Sequence, residues 1–262
     1  MILHVTNGDS AGGTLKLIFR EDRVLSWRAV VHDVPKREDW TAEEAMLRGP
    51  WAEVVLWFEH DLFDQVQVLE LLDLLKGRHD VTLIQPNEYL GPMDQATLGS
   101  LFPTRRPVTG ERYREAGRAW AAFRAPVPHG LTEFAIFDRL CEEYPAVEDG
   151  CTRTERFILR TLAAGYRNRR ALFAEFGASE DPVWMGDLPF FDVLAGLQRG
   201  PQPLVNGQNQ VTAKGRAVLE GREDRILGNG IDRWIGGVHL AGADSPWRWN
   251  RALKRFEAGK TS

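Results

Sequence analysis

Twice within its first 76 residues the chain runs a short apolar segment into a burst of polar and acidic side chains and then into a helix-periodic stretch. The first is Ile2-Leu3-His4-Val5-Thr6 followed by Asn7-Gly8-Asp9-Ser10-Ala11-Gly12-Gly13. The second is Val54-Val55-Leu56-Trp57-Phe58 followed by Glu59-His60-Asp61-Leu62-Phe63-Asp64-Gln65. An apolar run that stops in turn residues and reopens as a helix reads as a strand–helix unit. Repetition of that unit leaves few folds, because parallel strands need crossover connections and the crossovers cover the sheet. The pattern predicts strands over 2–6, 23–27, 53–58 and 81–85, and helices over about 11–19, 41–48 and 61–76. In the last helix Leu62, Val66, Leu69, Leu72 and Leu75 recur at helical spacing. Thr41 with Glu44 three residues later reads as a capping box. Residues 1–126 are therefore expected to form a Rossmann-like parallel-sheet α/β domain, with 2–6 beside 53–58.

A helix over 111–123, carrying Tyr113, Ala116, Trp120 and Phe123 on one side, ends in Ala125-Pro126-Val127-Pro128-His129-Gly130, which reads as a linker. Beyond it the pattern changes. Helices are expected over 131–144, 152–164 (Thr152 as cap, Glu155 behind it), 168–176 and 187–199. A short hairpin over 203–212 turns near Asn206-Gly207, and a helix follows over 213–221. Three helices, a hairpin and a further helix follow the winged version of the helix-turn-helix plan, so 131–262 is expected to be a mostly helical winged-helix-like domain. Trp234, Val238-His239-Leu240 and Trp247-Arg248-Trp249 suggest a closing hairpin whose aromatics pack.

Charge separates the same two parts. Residues 1–150 carry −9 and residues 151–262 carry +5, within a total of −4. A basic second half is suited to phosphate backbones. Its candidate contacts are Arg167, Arg169 and Arg170 at the opening of the second of three helices. The third helix, Asp187-Leu188-Pro189-Phe190-Phe191-Asp192-Val193-Leu194, is apolar and acidic where a base-reading face should be polar or basic. DNA contact and protein contact both stay open. No apolar run approaches the roughly 18 residues of a membrane span, and the chain enters a strand with no basic leader. A cytoplasmic protein without membrane attachment is expected, with Cys141 and Cys151 reduced.

Several stretches together resemble an uncharacterised bacterial family, the domain of unknown function eighteen thirty-five. They are His4-Val5-Thr6-Asn7-Gly8-Asp9-Ser10, Trp57-Phe58-Glu59-His60-Asp61-Leu62-Phe63-Asp64-Gln65, Glu88-Tyr89-Leu90-Gly91-Pro92, Thr152-Arg153-Thr154-Glu155, Met185-Gly186-Asp187, and the run from Asn229 to Leu240. The resemblance implies the two-domain plan and supplies no activity. Gly8-Asp9-Ser10 is also similar to the first block of the GDS-type serine esterases, but that family's Gly-x-Asn-Asp block and late Asp-x-x-His pair are missing here.

Ligands of open parallel sheets bind outside the carboxyl ends of the strands. Two chemistries fit the polar residues expected there. In the first, the loop Asn7-Gly8-Asp9-Ser10 with Gly12 and Gly13, assisted by Gln65, cradles a small anion such as phosphate or a nucleotide through backbone N–H groups. That makes the protein a regulator with nucleic acid or another protein on its second domain. In the second, Asp9, Glu59, Asp61 and Asp64 hold magnesium or manganese, with His60 as acid or base and Ser10 nearby, for phosphoester hydrolysis. Converging carboxylates would favour the hydrolase; splayed acids beside free backbone N–H groups would favour the sensor. The plain alternative is that the acids cap helices.

Overall fold

A computed structural model of the protein describes residues 1–27, 41–181, 184–243, 245 and 247–259. The chain divides into two compact units, Met1–Arg124 and Ala125–Ser262.

The first unit is α/β, built on one five-stranded sheet. Its strands are β1 (Ile2–Asn7), β2 (Arg23–Trp27), β3 (Glu53–Trp57), β4 (Val81–Ile84) and β5 (Arg106–Pro107), in the order β2-β1-β3-β4-β5. The first four run parallel, and β5 adds antiparallel to the edge of β4. β1 and β3 are hydrogen-bonded neighbours, Ile2 opposite Glu53 and Thr6 opposite Trp57. Chain order reverses on either side of β1, which makes the gap between β1 and β3 the switch point of the sheet. This arrangement is compatible with a Rossmann-like domain.

Strand alternation divides the side chains between two layers. Val55, Trp57 and Ile84 face α1 (Asp9–Ile18) and α4 (Gln95–Ser100), packing with Ala11, Leu15, Leu90 and Leu98. Leu3, Val5, Val54 and Leu56 take the alternate positions, on the side of α3 (Leu62–Leu75) and α5 (Gly110–Arg124), and all four are fully buried. A strand covered on both faces has no use for polar alternation, which is why 54–58 reads as one continuous apolar run. The remaining helix of this unit is α2 (Thr41–Leu47); the expected cap at the Thr41 side chain lies outside the described residues.

Gly12 belongs to this packing. A Cβ there would overlap Ser26 Oγ on β2 and touch Thr6, so the glycine lets α1 approach the sheet. Gly12→Val should therefore destabilise the first unit by roughly 1–3 kcal/mol through overpacking, read as a lower urea midpoint with unchanged slope.

In the second unit the predicted helix over 131–144 is broken. Pro128–Glu133 and Ala135–Phe137 are 3-10 turns, and only α6 (Asp138–Cys141) is α-helical. Next come α7 (Arg153–Ala163), α8 (Arg169–Ser179) and α9 (Asp187–Leu197), joined by Phe157, Phe173, Phe176, Phe190 and Phe191 in one aromatic cluster. Thr152 and Glu155 form the capping box of α7. The hairpin expected over 203–212 is reduced to a single bridge, Val205 to Val211, before α10 (Ala213–Leu219). After α11 (Arg225–Asn229), the closing segment is two separate hairpins: β6 (Ile231–Ile235) with β7 (Val238–Gly242), and β8 (Trp247–Asn250) with β9 (Arg255–Ala258). Trp249 is buried, as packing predicts, while Trp234 stacks on His239 at 4.4 Å. Cys141 and Cys151 are buried free thiols. No described helix is long and apolar enough to cross a membrane.

Candidate functional site

The two polar bursts meet at the switch point, one after β1 and one after β3. Asn7 sits at the last position of β1, in step with Leu3 and Val5, and so on the α3 side of the sheet. Its amide donates to Asp64 Oδ1 at 2.5 Å, and Gln67 Nε2 lies 3.5 Å from Asn7 Oδ1. Asp64 Oδ2 accepts the backbone N–H of Glu59 at 2.6 Å. Asp64 is thus a fully buried brace that joins the ends of β1 and β3 to the first turn of α3. Asp61 caps that helix, its Oδ1 accepting Asp64 N–H at 2.9 Å. Gln65 donates to the Glu59 carbonyl at 2.6 Å, and Glu59 Oε1 accepts Leu90 N–H at 2.6 Å.

Glu59 Oε1, Asp61 Oδ1 and both Asp64 oxygens accept backbone and amide N–H groups of the protein. Among the described residues, no three His, Cys, Asp or Glu side chains are grouped to hold a metal ion. The four residues named for magnesium or manganese, Asp9, Glu59, Asp61 and Asp64, form no such group among the described residues. Ser10 is likewise not poised as a nucleophile: its hydroxyl donates to the Gly91 carbonyl at 2.9 Å. His60 is exposed and turned towards β4, with Nε2 3.2 Å from the Gln85 carbonyl oxygen. Since a carbonyl only accepts, that nitrogen carries the proton.

The segment 86–93 crosses the end of the sheet and touches both bursts, through Gly91 on Ser10 and Leu90 on Glu59. Burial beneath it, with the charge of Asp61 adding, raises Glu59 to about 7. Burial also raises Asp64 to about 8, reinforced by Asp61 and opposed by the N–H groups of Glu59 and Asn7. Tyr89 is raised to about 12 by burial and by Asp61, Glu59 and Asp64. At neutral pH the buried acid of this crevice is mostly neutral, and Glu59 is near its midpoint.

The α1 side has a different character. Gly8 turns β1 into the helix at φ 67°, a left-handed value that favours glycine, and α1 begins with no side-chain cap. Its first N–H groups therefore have no side-chain acceptor at the cap position. Asp9 and Ser10 are exposed on the first turn, and Gly13 has open space around it. Gly12, expected in the cradle, is buried against Ser26 and serves packing.

The arginines expected on nucleic acid are mostly engaged. Arg167 donates from Nη1 to the Leu162 and Tyr166 carbonyls, both at 2.6 Å, closing the end of α7. Arg169 lies over the Phe191 ring at 4.4 Å. All three residues are exposed.

Gln67, Tyr89 and the Leu90 N–H are parts of the crevice that sequence reasoning missed. Gln67 had a legible signal, a polar residue three positions after Asp64 and so on the same side of α3. The Leu90 N–H had none, because it reaches Glu59 only through the return of a loop. No protein-family model matches the chain, and no curated protein matches it in sequence.

Proposed function

We propose that the first unit is a non-enzymatic binding module for a small anion, a phosphate or the phosphate of a nucleotide, seated at the N-terminus of α1. The observation that carries this reading is the uncapped start of α1 at the β1/β3 switch point, where Gly8 brings backbone N–H groups forward. Helix N-termini at that place in a parallel sheet favour negative charge. The acids support the same choice over hydrolysis, being held in internal hydrogen bonds. We propose further that the second unit follows the winged-helix plan, with α7 to α9, the 205–211 bridge and α10 in that order. Its α9 surface, with Leu188 75 % exposed and Asp192 exposed, supports a protein contact in place of base reading. The resemblance to the uncharacterised family remains a proposal resting on its motifs.

Sulfate is the cleanest probe, because its charge is constant from pH 6 to 9. Calorimetric titration should show sulfate binding that weakens as pH rises from 6 to 9. Glu59 and Asp64 are neutral below their raised values and ionise as pH passes about 7 and about 8. Each added negative charge should cost roughly 1 kcal/mol, or about fivefold in affinity. Asp9→Asn removes the exposed charge from the first turn and should tighten binding by about the same factor. A thermal-shift series with nucleotides would extend the test, since a ligand of the folded state raises the melting temperature. Absence of binding at low salt, or binding indifferent to both pH and Asp9→Asn, would rule the module out.

A further inference from the structure

A second concavity lies at the carboxyl end of β4, where β5 and the start of α5 meet it. It has a volume of about 550 Å³, within the range of small-molecule sites. The polar groups on its wall are chiefly donors. Arg106 and Arg112 line it, and neither guanidinium has a carboxylate partner among the described residues. Gln85 lines it too, with its amide Nε2 shielded from solvent. Its backbone carbonyl is taken by His60, which also lines the space. Thr109 supports this end of α5 by accepting the Arg112 N–H at 3.2 Å. The rest of the wall is apolar, from Leu83, Leu101 and Val108 among others. Leu83 is the register partner of Arg106, so these two side chains stand on the same face of the sheet.

Arg106 is exposed and Arg112 half-buried, so both guanidinium groups are open to a ligand in the cavity. An oxyanion answers both, since the guanidinium fork suits carboxylate and phosphate oxygens. An anion alone would leave the apolar wall wet. We infer that this cavity is a binding site for a small organic oxyanion, a carboxylate or phosphate carried on an apolar body. The oxyanion is held by Arg106 and Arg112, with the body against Leu83, Leu101 and Val108. The site shares no proposed ligand contact with the N-terminus of α1 and does not rest on that reading.

The test uses the full chain and calorimetric titration with phenyl phosphate, benzoate, inorganic phosphate and phenol. Phenyl phosphate or benzoate should bind at least about tenfold more tightly than inorganic phosphate or phenol, because only the first two satisfy both walls. Which of the two is tighter assigns the head group. Arg106→Ala and Arg112→Ala should each weaken the aryl anion by about tenfold or more. Thr104→Glu, an exposed wall position carrying a new negative charge, gives the same loss if an arginine variant fails to fold. Equal affinity for phenyl phosphate and inorganic phosphate overturns the inference. So does aryl-anion binding that survives Thr104→Glu and whichever arginine variants fold. Tightening on Asp9→Asn with no loss from either arginine variant would place the ligand at α1 and overturn it too.

Discussion

Replacing Glu143 by alanine should destabilise the second unit by roughly 3–4 kcal/mol, the scale for breaking a buried, hydrogen-bonded ion pair. Glu143 is fully buried. Its Oε1 accepts Arg139 Nη1 at 2.6 Å and the Thr154 hydroxyl at 2.5 Å, and Arg233 lies 3.7 Å from Oε2. Arg139 is shared with Glu180, which accepts its Nε and Nη2 at 2.8–3.1 Å. Truncation removes the acceptor of the Thr154 hydroxyl and leaves part of Arg139 uncompensated. Burial alone would raise the Glu143 carboxyl, but Arg139, Arg233 and Thr154 together hold it below the ordinary range. Its contribution is thus present above the unfolded value near 4.5 and lost as pH falls through the lower folded value. Urea titration followed by tryptophan fluorescence, at pH 7 and pH 3.5, should show a large loss for Glu143→Ala at the first pH and a smaller one at the second. A loss below about 1 kcal/mol at pH 7 would mean that Glu180 alone suffices for Arg139.

Asp64→Ala should cost the first unit roughly 1–3 kcal/mol, since the half-buried Glu59 N–H loses its acceptor and the exposed Asn7 amide loses the brace to α3. Its pH dependence has the opposite sign. Asp64 is raised from 3.8 to about 8 by burial, so the folded state holds a proton that the unfolded state has released. The stabilisation is full below about pH 4 and fades as pH rises through about 8. The gap between wild type and Asp64→Ala should accordingly be widest near pH 5 and narrow by pH 9, in melting temperatures measured across that range. A gap that widens with pH would show instead that the two N–H donors keep Asp64 ionised.

Much of the first unit is legible in local sequence because its signals are local. Apolar runs of strand length, a helix with leucines at helical spacing and polar bursts between them place β1, β3 and α3, and their repetition implies a parallel sheet. β5 and α4 escape the same reading: Arg106–Pro107 is two residues long and Gln95–Ser100 is six, too short to show a period. Where residues 131–144 look like one helix, buried Pro128 and Leu131 are instead packed through successive 3-10 turns.

The meeting of the two acid-rich loops followed from sequence, since strands that share a sheet bring their carboxyl ends together. What each acid does there did not follow. Asp61, Asp64 and Glu59 look alike as a cluster of carboxylates, yet one caps a helix, one braces two strands from a buried position and one ties down a returning loop. Those roles depend on partners such as Asn7, 57 residues away, and Leu90, 31 residues away, and on a burial that raises the acids' proton affinity. The cavity at Arg106 and Arg112 likewise exists only because an edge strand folds back on β4. Composition and period determine which segments pair and which face is apolar; desolvation and long-range hydrogen bonding, set by the tertiary structure, decide the chemistry of the groups those segments carry.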